Sequence, residues 1–337
     1  MIIVMQHGAS KEQVDHVFER ITSIGLRYQA IYGEERVVIG VIGEEDLIRT
    51  LPIDAMPGVE RSFPILHEFR LADREWHKEP SEVTVDGVVF GGTKVVVIAG
   101  PCAVENEAML VETAERVQAA GASMLRGGAF KPRTSPYTFQ GHGESALAYL
   151  AEARSATGLP VVTEVMDTAD IELVASYADV LQVGARNMSN YSLLKKVGKL
   201  GMPVLLKRGM ASTVRELLMS AEYILSNGNM KVILCERGIR TFEDGTRNTL
   251  DMSAVPAIKS MSHLPVIVDP SHATGRSAYI ASMSKAAIAA GADGLMIEVH
   301  PNPEEAISDG AQSLTLDQFD QLMTELGPIA AAVGREI

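Results

Sequence analysis

From Lys94 onward the chain alternates short, almost continuous apolar runs with longer amphipathic stretches. The runs occupy residues 95–99, 123–127, 160–165, 180–184, 203–207, 231–236, 265–269 and 294–299. Runs of this kind are what parallel strands buried on both faces require. The stretches between them include 106–120, 144–157, 213–227 and 277–290, with 316–333 after the last run, and each is long enough for a right-handed helical crossover. Eight β/α units within about 240 residues match the size of a (β/α)8 barrel. An open doubly wound sheet is the alternative, but no Gly-x-Gly-x-x-Gly follows the first run to support dinucleotide binding.

Ahead of that pattern the periods differ. Residues 2–4 read as a strand, 10–25 as an amphipathic helix, 26–31 and 37–42 as two strands, a helix begins at Glu44, and 59–63 reads as a last strand. The order βαββαβ is the ferredoxin-like arrangement. Residues 64–81 are polar and mixed in charge, and 82–90 alternate around Asp86-Gly87 as a hairpin does. The predicted fold is therefore α/β, a (β/α)8 TIM barrel over 94–337 preceded by a small α+β ferredoxin-like domain over 1–67, with 68–93 as linker and hairpin.

A chain of 337 residues with 46% hydrophobic content has material for both parts. Its formal net charge of -13 repels DNA, RNA and anionic lipid, so nucleic acid and membrane are not expected partners and any anionic ligand must be drawn by a local cluster of cations. No run reaches the length of a membrane span, and the start MIIVMQHG lacks the features of a signal peptide, so the expected location is cytoplasmic. Cys102 and Cys235 allow one bridge at most; a thiol at a strand end in a reducing compartment is a metal ligand, a nucleophile or plain core.

In a barrel of this kind the active site lies at the carboxyl ends of the strands. Here those ends deliver Cys102 and Glu105; Arg126, Gly127 and Gly128 with Lys131, Arg133, Thr134 and Ser135 beyond; Gln182, Gly184, Ala185 and Arg186; Lys207 and Arg208; Glu236 and Arg237; Asp269 and His272; Glu298, with Asp309 in the following loop. Cys102, His272, Glu298 and Asp309 combine a thiol, an imidazole and two carboxylates, a mixture that suits a divalent transition metal (Mn, Fe, Co or Zn). Each alone has a plain structural explanation; their convergence on one rim does not. Arg126, Lys131, Arg133, Arg186, Lys207, Arg208 and Arg237 form a cationic set fit for phosphate and carboxylate. For Arg208 an ion pair at the rim is an equal alternative. The small pairs Gly127-Gly128 and Gly184-Ala185 would let backbone N–H groups approach a phosphate.

At these positions the sequence resembles the 3-deoxy-D-arabino-heptulosonate 7-phosphate (DAHP) synthases, in the subgroup related to 3-deoxy-D-manno-octulosonate 8-phosphate synthase. The resemblance spans about residues 95–315 and runs through Ala99-Gly-Pro-Cys-Ala-Val-Glu105, Leu125-Arg-Gly-Gly-Ala-Phe-Lys-Pro-Arg-Thr-Ser-Pro136, Gln182-Val-Gly-Ala-Arg-Asn187, Leu206-Lys-Arg-Gly209, Cys235-Glu-Arg-Gly238 and Val268-Asp-Pro-Ser-His272. It implies a metal-dependent transferase that condenses phosphoenolpyruvate with erythrose 4-phosphate in the first step of the shikimate route to aromatic amino acids. Cys102, His272, Glu298 and Asp309 match the family's metal ligands; Arg126, Lys131 and Lys207 match contacts to phosphoenolpyruvate; Ala185, Arg186 and Arg237 match its phosphate site, with Gln182 adjoining. Arg133, Thr134 and Ser135 match the place of erythrose 4-phosphate. Lys131 is the candidate general acid, and Glu236 and His272 are candidates for managing the protons of the attacking water. The sister sugar-acid enzyme, which takes arabinose 5-phosphate, has Lys-Ala-Asn-Arg-Ser where this chain has Lys131-Pro132-Arg133-Thr134-Ser135. A non-catalytic phosphometabolite sensor is the reading from another class. The N-terminal unit resembles a regulatory extension, implying feedback by an aromatic amino acid (Tyr or Phe), and a homo-oligomer, tetramer or dimer, is expected.

Overall fold

The structure is a computed structural model that describes all residues except 34, 49, 64–67, 133, 134 and 136, together with the side chains of 45 and 46. It divides into two compact units, Met1–Glu68 and Phe69–Ile337.

The first unit runs β1 (Ile2–Met5), α1 (Lys11–Ser23), β2 (Arg27–Tyr32), β3 (Val37–Ile42), α2 (Glu45–Ile48) and β4 (Val59–Phe63). Its strands lie in the order β2-β3-β1-β4 with antiparallel neighbours, which is the split βαβ topology. Helix α1 starts at a capping box, in which Ser10 accepts from the Gln13 N–H and Gln13 returns the bond to Ser10. It buries Val14, Val17 and Ile21 on Ile3, Met5, Ile39 and Val41 of the sheet. The second helix, expected from Glu44, is a single turn followed by a 3-10 turn at Ile53–Ala55.

The second unit opens with the hairpin β5 (Val83–Val85) and β6 (Val88–Phe90), whose turn residues Asp86 and Gly87 both have positive φ, as a two-residue type I′ turn demands. The barrel strands follow: β7 (Val96–Gly100), β8 (Met124–Arg126), β9 (Val161–Glu164), β10 (Val180–Val183), β11 (Val204–Lys207), β12 (Val232–Glu236), β13 (Val266–Val268) and β14 (Gly294–Glu298). They close in parallel, β14 pairing with β7. The intervening helices are α3 (Glu107–Ala119), α4 (Glu144–Thr157), α5 (Ile171–Ala175), α6 (Tyr191–Leu200), α7 (Val214–Leu225), α8 (Ala254–Met261), the short α9 (Pro270–Thr274), α10 (Ser277–Ala289) and, last, α11 (Leu316–Ala332).

Each strand sorts its residues by parity. Val97, Ala99, Leu125, Leu181, Leu206 and Leu234 pack outward against the helices. Val96, Ile98, Met124, Val162, Val180, Leu205, Ile233, Cys235, Ile267 and Met296 pack in a separate interior cluster with Val83, Val85 and Phe90 of the hairpin, which fills the amino end of the barrel. Residues 68–93, read above as linker and hairpin, belong from Phe69 on to the barrel's own compact unit: Phe69 and Ala72 join its outer core, and the Leu71 and Ala72 N–H groups donate to the Glu222 carboxylate at 3.0 and 2.9 Å. Among the described residues no helix is long and apolar enough to cross a membrane.

Candidate active site

The parity that fills the amino end with apolar side chains carries on to the carboxyl end with polar ones. Arg126 follows Met124, Glu164 follows Val162, Gln182 follows Val180, Lys207 follows Leu205, Arg237 follows Cys235, Asp269 follows Ile267 and Glu298 follows Met296, in each case two residues further along the same inward face.

Four side chains meet among them. Cys102 leaves β7 just after Gly100, whose φ of 148° puts its α-carbon so close to β8 that a Cβ would lie 2.1 Å from the Arg126 carbonyl oxygen. His272 sits on α9, where Asp269 is the N-cap and Pro270 takes the first turn. Glu298 ends β14, and its N–H donates to Ser271 Oγ at 2.9 Å. Asp309 lies in the β14–α11 loop with a φ of 58°, left-handed and uncommon for a non-glycine residue. The ligand atoms of Cys102, His272, Glu298 and Asp309 all lie within 4.8 Å of one another. Donors bound to one ion at about 2.0–2.3 Å lie roughly 3–4.5 Å from one another, close to the spacing found here, so the cluster needs little adjustment to hold a single divalent metal.

Electrostatics support the same use. Burial, followed by the Glu298 charge, pushes the Cys102 thiol up to about 12. Its sulfur lies 3.0 Å from Asp309 Oδ2 and 2.9 Å from Lys131 Nζ. Such a thiol becomes a thiolate ligand only where a strong cation offsets the burial. Burial lowers the His272 pKa, outweighing Asp269 and Glu298, which leaves the neutral imidazole a metal needs. Arg126 Nη1 lies 2.5 Å from Glu298 Oε1, Gln312 donates to the other Glu298 oxygen, and Arg247 Nη1 reaches Asp309 Oδ1 at 3.1 Å and Gln312 Oε1 at 2.7 Å.

Beside the cluster opens a cavity of about 330 Å³. Of the residues predicted from sequence, Arg126, Lys131, Ser135, Gln182, Ala185, Arg186, Lys207, Arg237, His272 and Asp309 line it. The Nη1 of Arg237 is buried without a hydrogen-bond partner among the described residues. A buried guanidinium in that state is costly, and an anionic ligand is its natural complement. Arg133 and Thr134 lie outside the described residues.

Two expectations change. Glu236 is not brought to the cavity: it shares the outward parity of Leu234, is fully buried, and pairs with Arg208 Nη1 at 2.7 Å while accepting from the Gly238 N–H at 2.6 Å. Arg208, which Asp251 also holds at 3.0 Å, is thus the ion-pair partner. The Gly127 and Gly128 N–H groups do not face a ligand, because they donate to the carbonyl oxygens of Val162 and Cys102 at 3.3 and 3.1 Å. Gly128 instead makes room, since a Cβ there would lie 3.0 Å from Lys131 Nζ. Both cysteines are free, and Cys235 is packed in the interior cluster.

Residues without an assigned role also enter the site. Glu164 lines the cavity beside Gln182, which donates to it at 3.1 Å; it ends β9, one residue before the third apolar run closes, so the strand-end rule would have found it. Asp269 lies beneath His272 and Lys207. Arg247 comes from the β12–α8 loop and Gln312 from a 3-10 turn, Gly310–Gln312, in the β14–α11 connection, where no period announces which side chain turns inward.

The description "DAHP synthetase I family" matches residues 77–332, and "DAHP synthase ferredoxin-like domain" matches residues 1–67. The chain is 48% identical over 337 residues, covering all of both proteins, to a phospho-2-dehydro-3-deoxyheptonate aldolase of Thermotoga maritima. It is 34% identical over 274 residues, 75% of this chain and 98% of the other, to a 2-dehydro-3-deoxyphosphooctonate aldolase of Syntrophotalea carbinolica. The crystal structure of phospho-2-dehydro-3-deoxyheptonate aldolase (DAHP synthase) from Thermotoga maritima superposes with a TM-score of 0.92 at 47% identity, covering 99% of this chain and 98% of that one. A truncated form of 3-deoxy-D-arabino-heptulosonate 7-phosphate synthase from the same organism covers 80% of this chain and is itself covered to 98%, with a TM-score of 0.75 at 50% identity.

Proposed function

The chain belongs to the DAHP synthase family, and from that premise we propose that its barrel joins phosphoenolpyruvate to erythrose 4-phosphate and releases inorganic phosphate, the first step toward aromatic amino acids. The observation that carries this reading is the four-donor cluster of Cys102, His272, Glu298 and Asp309 opening onto a cavity walled by Arg126, Lys131, Arg186, Lys207 and Arg237. Those cations offset two phosphates and a carboxylate that would otherwise repel one another.

A divalent metal (Mn, Fe, Co or Zn) held by the cluster supplies Lewis acidity toward the aldehyde oxygen. Arg186, Arg237 and the chain at Ala185 hold the phosphate of phosphoenolpyruvate, and Arg126, Lys131 and Lys207 hold and polarise the rest of it. Its C3 attacks the aldehyde carbon, the C–C bond forms, and the electron pair displaced onto the aldehyde oxygen takes a proton from Lys131 Nζ. Water adds at C2, and the hemiketal phosphate expels inorganic phosphate by C–O cleavage. With Glu236 turned away, and with His272 and Asp309 given to the metal cluster, Glu164 is the carboxylate left among the described residues of the cavity wall and the candidate to take the water's proton. Arg133, Thr134 and Ser135 receive erythrose 4-phosphate.

Loss of phosphoenolpyruvate absorbance with each aldehyde tests the reading. Turnover with erythrose 4-phosphate, and little with arabinose 5-phosphate, is expected; the reverse preference would make it the sugar-acid enzyme, and no product with either would leave a sensor. The ferredoxin-like unit is the proposed seat of feedback by Tyr or Phe, in a homotetramer or dimer.

A further inference from the structure

Asp269 is fully buried, and its carboxylate is shared three ways. Oδ1 accepts the His272 N–H at 2.9 Å, while Oδ2 accepts from His272 Nδ1 at 2.7 Å and also from Lys207 Nζ. The sharing follows from the barrel, because β11 and β13 are alternate strands whose last inward residues fall in one layer. We propose that Asp269 is a positioning residue that couples the metal cluster to the substrate lysine through this one oxygen, so that metal and phosphoenolpyruvate favour each other's binding. The inference rests on the function proposed above.

The chemistry is specific to a carboxylate. With Nδ1–H donating to Oδ2, the lone pair of Nε2 faces the cluster, where it lies 3.2 Å from Glu298 Oε1. A positive charge arriving on the Nε2 side polarises Nδ1–H and strengthens its claim on Oδ2, which loosens Lys207 for a ligand in the cavity. An anion that draws Lys207 away leaves Oδ2 to His272 and improves it as a ligand. Linkage makes the two effects equal. An asparagine that keeps the cap through its carbonyl oxygen would turn an NH2 toward both Lys207 and Nδ1. Nδ1 then becomes the acceptor, and the ring proton moves to Nε2, where the metal has to bind.

The test is a double-mutant cycle read as the Kd of Co2+, measured on full-length protein by competition with a chromophoric chelator and so independent of turnover. Asp269→Asn is expected to weaken Co2+ by about tenfold or more. Lys207→Met is expected to tighten it by at least about fivefold when Asp269 is present and by less than about twofold when Asn replaces it. The direct repulsion between Lys207 and the ion is common to both backgrounds, so equal shifts in the two overturn the proposal, as does wild-type affinity in Asp269→Asn. Should that variant fail to fold by thermal melting, Lys207→Met decides alone, and an unchanged Kd is the contrary result. A wild-type chain that binds no Co2+, or one unaffected by Cys102→Ala, sinks the metal reading and this coupling with it; intact binding without the coupling sinks only the latter.

Discussion

At the amino end of the barrel, Met124, Leu205, Cys235 and Met296 interlock with Phe90 and Val85 of the hairpin in a buried apolar cluster. Two residues further along the same strands, the same inward face carries Arg126, Lys207, Arg237 and Glu298, nearly as deeply buried and mostly paired with opposite charges. One end lowers the free energy of the fold by removing apolar surface from water, roughly 1.5–3 kcal/mol for a side chain such as Phe90. The other costs desolvation that its ion pairs only partly return, an arrangement useful chiefly if ligands complete it. Stability and chemistry are thus separated along the barrel axis by a single step of strand parity.

That separation can be broken experimentally. The largest effect is expected at the carboxyl end: Cys102→Ala should remove bound metal, seen by elemental analysis, and lower turnover by about a thousandfold or more, with the melting temperature of the metal-free protein close to that of metal-free wild type. Phe90→Ala should do the opposite, costing about 3–5 kcal/mol in denaturant unfolding while kcat stays at the wild-type value below the melting range. If Phe90→Ala also depressed kcat strongly in the folded protein, the two ends would not be separable. Gln312→Ala, which removes a donor to Glu298 and one of the two acceptors of Arg247, is expected to weaken metal about tenfold, measured by chelator competition. Smallest of all, removing residues 1–63 should change uninhibited turnover by no more than about twofold and abolish inhibition by Tyr or Phe. Retained inhibition would place the effector on the barrel instead.

The barrel was legible because buried parallel strands leave continuous apolar runs, and the metal candidates were legible because those runs end in reactive side chains. Orientation was harder. Glu236 looks as reactive as Glu298 in sequence, yet the parity set by Ile233 and Cys235 turns it outward to Arg208, whereas Met296 turns Glu298 inward. Counting in twos from the interior residues would have sorted them, and would have added Glu164 and Asp269. Arg247 and Gln312 were out of reach by any period, since loops that fold over a site leave no repeat to count. The second helix of the small domain, expected from Glu44, is found at Glu45–Ile48, with a 3-10 turn following at Ile53–Ala55.

The central claim is that one ion joins four distant parts of the chain at the carboxyl end. Anomalous diffraction from crystals soaked with Mn tests it most directly. A single strong peak within about 2.0–2.5 Å of Cys102 Sγ, His272 Nε2 and oxygens of Glu298 and Asp309 is the predicted result. A metal peak elsewhere on the protein with that cluster left empty would contradict it.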